Sequence, residues 1–127
     1  MNKCVLDASV VLVFLYREPG HETVARLLDE AAISAMNVAE VASKLAEEGV
    51  SREHFIQAIR GLKAEIIDFD EQLAYRVAAL RQATRGAGLS LGDRACLATA
   101  QHLGARAVTA DRKWAQLRLG VEIQIIR

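Results

Sequence analysis

Hydrophobic positions along the chain fall into two kinds of run. Short apolar stretches stand at Cys4-Val5-Leu6, Ala32-Ile33-Ser34-Ala35, Ile66-Ile67, Ala107-Val108-Thr109 and from Val121 to Ile126. Their hydrophobicity is continuous rather than alternating, as in strands covered on both faces of a parallel sheet. Between them, apolar residues recur at helical spacing. Val11, Phe14 and Leu15 begin one helical stretch, and Val24, Leu27 and Leu28 continue after a break at Glu18-Pro19-Gly20. Val38, Val41 and Leu45 mark the next, which stops at Gly49. Phe55, Ile59 and Leu62 come after it, then Leu73, Val77 and Leu80. Ala95, Leu97, Ala98 and Leu103 precede Gly104, a residue suited to ending a helix. Strands alternating with helices predict an α/β fold, a three-layer α/β/α sandwich around a mainly parallel sheet of about five strands.

Length and composition narrow this picture. The 127 residues suit one domain spanning 1–127, with a single core. A hydrophobic share of 52% argues against disorder. The longest loop signal, Arg85 to Ser90, is short enough to lie inside one domain. Sixteen basic residues balance sixteen acidic ones, which excludes a generally basic nucleic-acid coat but leaves room for a basic rim around an acidic cleft. Aromatics at 5% argue against a base-stacking platform. Cys4 and Cys96 make neither a disulfide framework nor a zinc site, and as buried small hydrophobes they suit a reducing cytosol. Val10 to Tyr16 is apolar and comes after Lys3, but Asp7 interrupts the stretch and no small-residue cleavage site is present beyond it, so no signal peptide is expected. No run reaches the roughly 18 apolar residues of a membrane helix. The expected location is cytoplasmic.

The candidate chemistry is carried by four acids. Ligands of open α/β sheets bind beyond the C-terminal ends of the strands. Asp7 lies directly after the first strand, and Asp111 lies two residues after Thr109, where the fourth strand ends. Asp93 opens the helix beginning near Gly92, and Glu40 sits early in the helix starting near Met36. Helices in such folds start at that same rim. Each acid also has a local role available. Asp7 and Asp111 can cap the helical turns after them, and Ser90-x-x-Asp93 has capping-box spacing. Glu40 and Lys44 are spaced as an i, i+4 pair. Independent caps, however, have no reason to share one end of one sheet.

Carboxylates packed within a few Å repel, and a divalent cation removes that conflict. A donor set of Asp and Glu, without Cys or His, favours Mg²⁺ or Mn²⁺ over zinc. Such an ion binds phosphate oxygens and activates water. Other chemistries lack their signatures. His21, His54 and His102 lie in helical stretches without metal spacing. There is no G-x-S-x-G elbow and no G-x-x-x-x-G-K-[ST] loop.

These residues resemble the PIN-domain ribonucleases, in particular the VapC-type toxins of toxin–antitoxin pairs. Val5-Leu6-Asp7-Ala8-Ser9-Val10-Val11 looks like the family's first strand and acidic turn, and Arg17-Glu18-Pro19-Gly20 resembles the stretch ending its first helix. Ser34 to Val41 is similar to the second acidic motif. Leu89-Ser90-Leu91-Gly92-Asp93 with Ala98-Thr99-Ala100 resembles the third, and Val108-Thr109-Ala110-Asp111-Arg112 the fourth. The matches run in family order over nearly the whole chain. The resemblance implies a Mg²⁺- or Mn²⁺-dependent endoribonuclease in which Asp7, Glu40, Asp93 and Asp111 are the metal-binding acids. Ser9 and Thr109 match the supporting hydroxyls, and Asn37 matches a polar position whose other role is that of a cap or near-cap. Arg94 lies outside the expected pattern. The resemblance further implies structured RNA as substrate, often loops of tRNA or rRNA, together with a cognate antitoxin and a homodimer.

Three other readings compete. One is a non-toxin nuclease of the same fold, acting in RNA processing. Another is a catalytically silent module whose acids only engage a basic partner segment. A phosphoacceptor receiver domain would need a paired acidic turn after the first strand and an acid after a central one. This chain has only Asp7 after the first strand and none directly after Ile33.

Overall fold

A computed structural model describes residues 2–127. Five strands, β1 (Cys4–Leu6), β2 (Ala31–Ser34), β3 (Glu65–Ile67), β4 (Arg106–Thr109) and β5 (Ile123–Ile125), form one sheet in the order β3-β2-β1-β4-β5. Every neighbouring pair is parallel. Among the described residues the α-helices are α1 (Ala8–Leu15), α2 (His21–Leu27), α3 (Ala35–Glu47), α4 (Arg52–Arg60), α5 (Glu71–Ala83) and α6 (Leu91–Leu103).

Residues of β1 alternate between two apolar cores. Cys4 and Leu6 face one side, where Val10, Val24, Val41 and Ile59 of α1 to α4 close over them. Val5 faces the other, under Leu73, Val77 and Leu80 of α5 and the Ala95–Ala98 segment of α6. The three layers expected from continuous strand hydrophobicity are therefore present. Trp114 closes the second core from the short 3₁₀ turn Arg112–Gln116 and is fully buried. Among the described residues, no helix is long and apolar enough to cross a membrane.

Several boundaries differ from the sequence reading for identifiable reasons. The second strand runs Ala31–Ser34 and stops before Ala35, because the Ser34 hydroxyl accepts a bond from the Met36 N–H (3.2 Å) and caps α3. The last strand is only Ile123–Ile125. The break after the first helix is sharp because Arg17 (φ 55°) and Gly20 (φ 102°) both take left-handed backbone. The strand order places the site. The chain steps outward from β1 through β2 to β3, then crosses back to β4 beside β1. That reversal leaves a crevice beyond the C-terminal ends of β1 and β4.

Candidate active site

Asp7 occupies that crevice as the first residue past β1. It is 4% exposed, and three hydrogen bonds hold its side chain in place. Its Oδ1 accepts from the Ser9 hydroxyl (2.6 Å) and from the Val10 N–H (2.9 Å), so it also caps α1. Its Oδ2 accepts from the Thr109 hydroxyl at the end of β4 (2.5 Å). The Thr109 oxygen in turn accepts from the Asp111 N–H (3.0 Å), and the Ser9 oxygen accepts from the Ala110 N–H (3.0 Å). Two hydroxyls thus lace the turn after β1 to the turn after β4. Both were singled out by the resemblance, and both reach Asp7.

Glu40 and Asp93 meet from the other direction. Asn37, buried in α3, donates its amide to Glu40 Oε1 (2.7 Å) and to the Gly92 carbonyl of α6 (3.0 Å). It is therefore not a helix cap; Ser34 holds that place, and Asn37 bridges two helices. Asp93 forms a full capping box with Ser90: its Oδ2 accepts from the Ser90 N–H (2.9 Å), and its own N–H bonds the Ser90 hydroxyl (3.1 Å). The predicted Glu40–Lys44 pair does not form. Lys44 faces Glu48 instead (3.9 Å), because Asn37 holds the Glu40 carboxylate toward the rim.

Electrostatics show which acids share a space. Burial pushes Asp7 up to about 6 against the lowering effect of its hydrogen bonds, and the charge of Asp93 pushes the same way. Burial and Asp93 likewise raise Glu40, although Asn37 opposes them. Cys96, fully buried beneath the cluster, has its thiol raised by burial and then by Asp7, Asp93 and Glu40 together. The charge of Asp93 therefore reaches both Asp7 and Glu40, and all three acids act on a common neighbour. Asp111 joins the cluster at one remove, through Thr109, while its own Oδ1 accepts from the Lys113 N–H (3.0 Å).

Sequence reasoning missed one contact that shapes the site. A Cβ at Gly92 would overlap the Glu40 carboxylate, so the glycine makes room for that acid. The signal was a glycine inside the first turn of a helix, where alanine is intrinsically better. Arg94, outside the expected pattern, turns away from the acids. Its Nη1 donates to the Val77 carbonyl of α5 (3.0 Å), and among the described residues it forms no ion pair with Asp93.

The donor set fits a hard divalent cation. Its members are carboxylates, two of which, Asp7 and Glu40, are raised by burial and by the charge of Asp93, and among the described residues none of the four is ion-paired to a Lys, Arg or His. Asn37 Oδ1 is buried without a hydrogen-bond partner. Among the described residues no three His, Cys, Asp or Glu side chains already enclose an ion position. The fit is thus one of donor type and charge rather than of a finished coordination shell.

Comparison with known proteins agrees with this architecture. The chain belongs to the PIN domain family, whose model matches residues 4–119. It is similar to DNA-bound VapBC of Salmonella typhimurium, with TM-score 0.78 and 20% identity over 100% of both chains. It is similar to FitAcB of Neisseria gonorrhoeae, with TM-score 0.71 and 26% identity over 95% of this chain and 96% of that one. A Mycobacterium tuberculosis VapC, a toxin that cleaves the sarcin-ricin loop, matches with TM-score 0.70 and 15% identity over 94% and 99% of the two chains. No curated protein sequence is a significant match. The fold is that of the VapC-type toxins, and PIN domains are generally nucleases that use divalent metal ions.

Proposed function

We propose that the chain, as one domain over 1–127, is a Mg²⁺- or Mn²⁺-dependent endoribonuclease and the toxin of a VapBC-type pair. The observation carrying this reading is the gathering of acids at the β1–β4 crevice: Asp111 is tied to Asp7 through Thr109, Asn37 holds Glu40 against the first turn of α6 that carries Asp93, and the charge of Asp93 reaches both Asp7 and Glu40. A bound divalent ion would neutralise these carboxylates, admit a phosphodiester and acidify a water. The residues themselves do the rest. Ser9, Val10 and Thr109 occupy three acceptor positions of the Asp7 carboxylate and leave one on Oδ2 for an ion. Asn37 fixes one Glu40 oxygen and leaves the other available. Asp93 spends Oδ2 on its capping box and keeps Oδ1. Cleavage adds water across a P–O3′ bond, with a carboxylate accepting the proton, and leaves a 3′-hydroxyl and a 5′-phosphate. Among the described residues no His hydrogen-bonds to these acids, so a bound divalent ion would do most of the work of acidifying the water, with the carboxylates helping to remove its proton.

The substrate on this reading is structured RNA, in loops of tRNA or rRNA where unstacked bases are open to recognition. A cognate antitoxin covers the site, the protein is a homodimer, and it works in the cytoplasm. The test is incubation of purified, antitoxin-free protein with total tRNA and rRNA in Mg²⁺, Mn²⁺ or EDTA. Discrete metal-dependent products are expected, absent from Asp7→Asn and Asp93→Asn variants that remain folded. Full activity of both variants would remove these acids from the mechanism. A folded protein that binds antitoxin but cleaves nothing would be the silent partner-binding module. Cleavage without growth arrest on expression would point to the RNA-processing nuclease.

A further inference from the structure

The balanced net charge conceals a division of the chain. Residues 72–121 carry eight basic side chains and only two acids, Asp93 and Asp111, both members of the candidate site. The remaining residues carry eight basic side chains and fourteen acids. The basic stretch includes the two segments that frame a cleft of about 480 Å³, each connected closely along the chain to an acid of the candidate site. One wall is the turn after α5, with Thr84, Gly86 and Ala87, and the other holds Lys113, Gln116 and Arg118. The first wall leads directly into Ser90 and Asp93, and the second begins one hydrogen bond from Asp111, at the Lys113 N–H.

The cleft's cations are available to a ligand. Lys113 is exposed and forms no ion pair among the described residues. Arg118 is fixed at the cleft by bonds from Nη1 to the Ala115 and Leu117 carbonyls (3.2 and 3.0 Å), while the residue stays exposed. No aromatic side chain lines the cleft, and Trp114 beside it is fully buried. The surface therefore offers charge and hydrogen-bond donors but no ring for a base to stack on.

We propose that this cleft is a one-sided track for the RNA strand flanking the scissile phosphate, gripping its sugar–phosphate backbone without reading its bases. The inference rests on the nuclease reading. The strand leaves the acid cluster over Lys113 and Arg118, while the acid-rich remainder of the chain repels it. Sequence selectivity then arises elsewhere.

The test uses the Asp7→Asn protein in Mg²⁺ with labelled oligouridine and oligoadenosine, measured over a range of salt concentrations. Lys113→Glu is expected to weaken binding of both probes alike, by roughly tenfold at low salt, and Lys113→Ala to lower the salt dependence by about 0.7 in the log–log slope. Arg118→Gln should act in the same direction, and Arg52→Glu on α4 should change nothing. In the otherwise unaltered enzyme, Lys113→Glu should raise KM for total tRNA and leave kcat in place. Unchanged affinity and slope in both Lys113 and Arg118 variants, with RNA still cleaved by the unaltered enzyme, would overturn the track and leave the nuclease reading standing. Loss of binding to one probe only would also overturn it, since a backbone track cannot tell the two apart. An unaltered protein that neither binds nor cleaves RNA would overturn both.

Discussion

Glu40 and Gly92 depend on each other across two helices, and the dependence has an energetic signature. Gly92 has no left-handed backbone to protect, since its φ is not positive. Alanine there should favour the helix by up to about 1 kcal/mol. The three atoms nearest such a Cβ all belong to the Glu40 carboxylate, which ends a flexible side chain able to swing away. Gly92→Ala is therefore expected to keep or slightly raise the melting temperature while reducing metal-dependent cleavage more than roughly tenfold, a loss of about 1.4 kcal/mol of transition-state stabilisation. Equal activity in the variant would mean that the position of Glu40 is immaterial to the chemistry. A large drop in stability would mean that the glycine serves packing instead.

At the scale of elements, local and site roles of the acids prove to be the same geometry. Asp7 caps α1, Asp93 closes the capping box of α6 and Asp111 caps the 3₁₀ turn. Each begins an element at the C-terminal rim of a parallel sheet, where helix N-termini and ligands both gather. Ser90→Ala tests this double use: it should cost about 1 kcal/mol of stability and free the Asp93 carboxylate to rotate, lowering activity several-fold. Thermal melts and cleavage rates on the same preparations check both arms, and an unchanged rate would mean that Asp93 needs no anchoring. The strands were legible because burial on both faces makes Cys4-Val5-Leu6 and Ala107-Val108-Thr109 continuously apolar. Asp7 and Asp111 were legible because strand ends mark the rim. Trp114 was not, since it stands alone among Arg112, Lys113 and Gln116 with no periodicity to announce a core position. Neither was the Asn37 bridge, whose partner Gly92 lies on another helix. The failed Glu40–Lys44 pair belongs with these, because i, i+4 spacing permits a pair but tertiary partners decide which forms.

For the molecule as a whole, the acid cluster sets stability against ion binding. Asp7 has a folded pKa of about 6 against an ordinary 3.8. The folded metal-free protein therefore retains a proton that the unfolded chain releases, and the stability this provides is complete below about pH 4 and lost as pH rises through 6. Glu40 is shifted in the same direction. The penalty at neutral pH is about 3 kcal/mol at most for Asp7. Replacing its ionisable group by an amide removes that penalty. In EDTA, Asp7→Asn should consequently gain in melting temperature relative to the parent between pH 5 and pH 7, by roughly 5–10 °C for a chain of this size. Mg²⁺ or Mn²⁺ should reverse the ranking, because a cation replaces the proton in the parent and stabilises it by mass action, more at pH 7 than at pH 5. Thermal melts of the two proteins at both pH values, with and without metal, decide the matter. If the parent and Asp7→Asn differ equally at pH 5 and pH 7 in EDTA, Asp7 is not held protonated by its surroundings. If metal raises both proteins alike, the ion binds somewhere other than at Asp7.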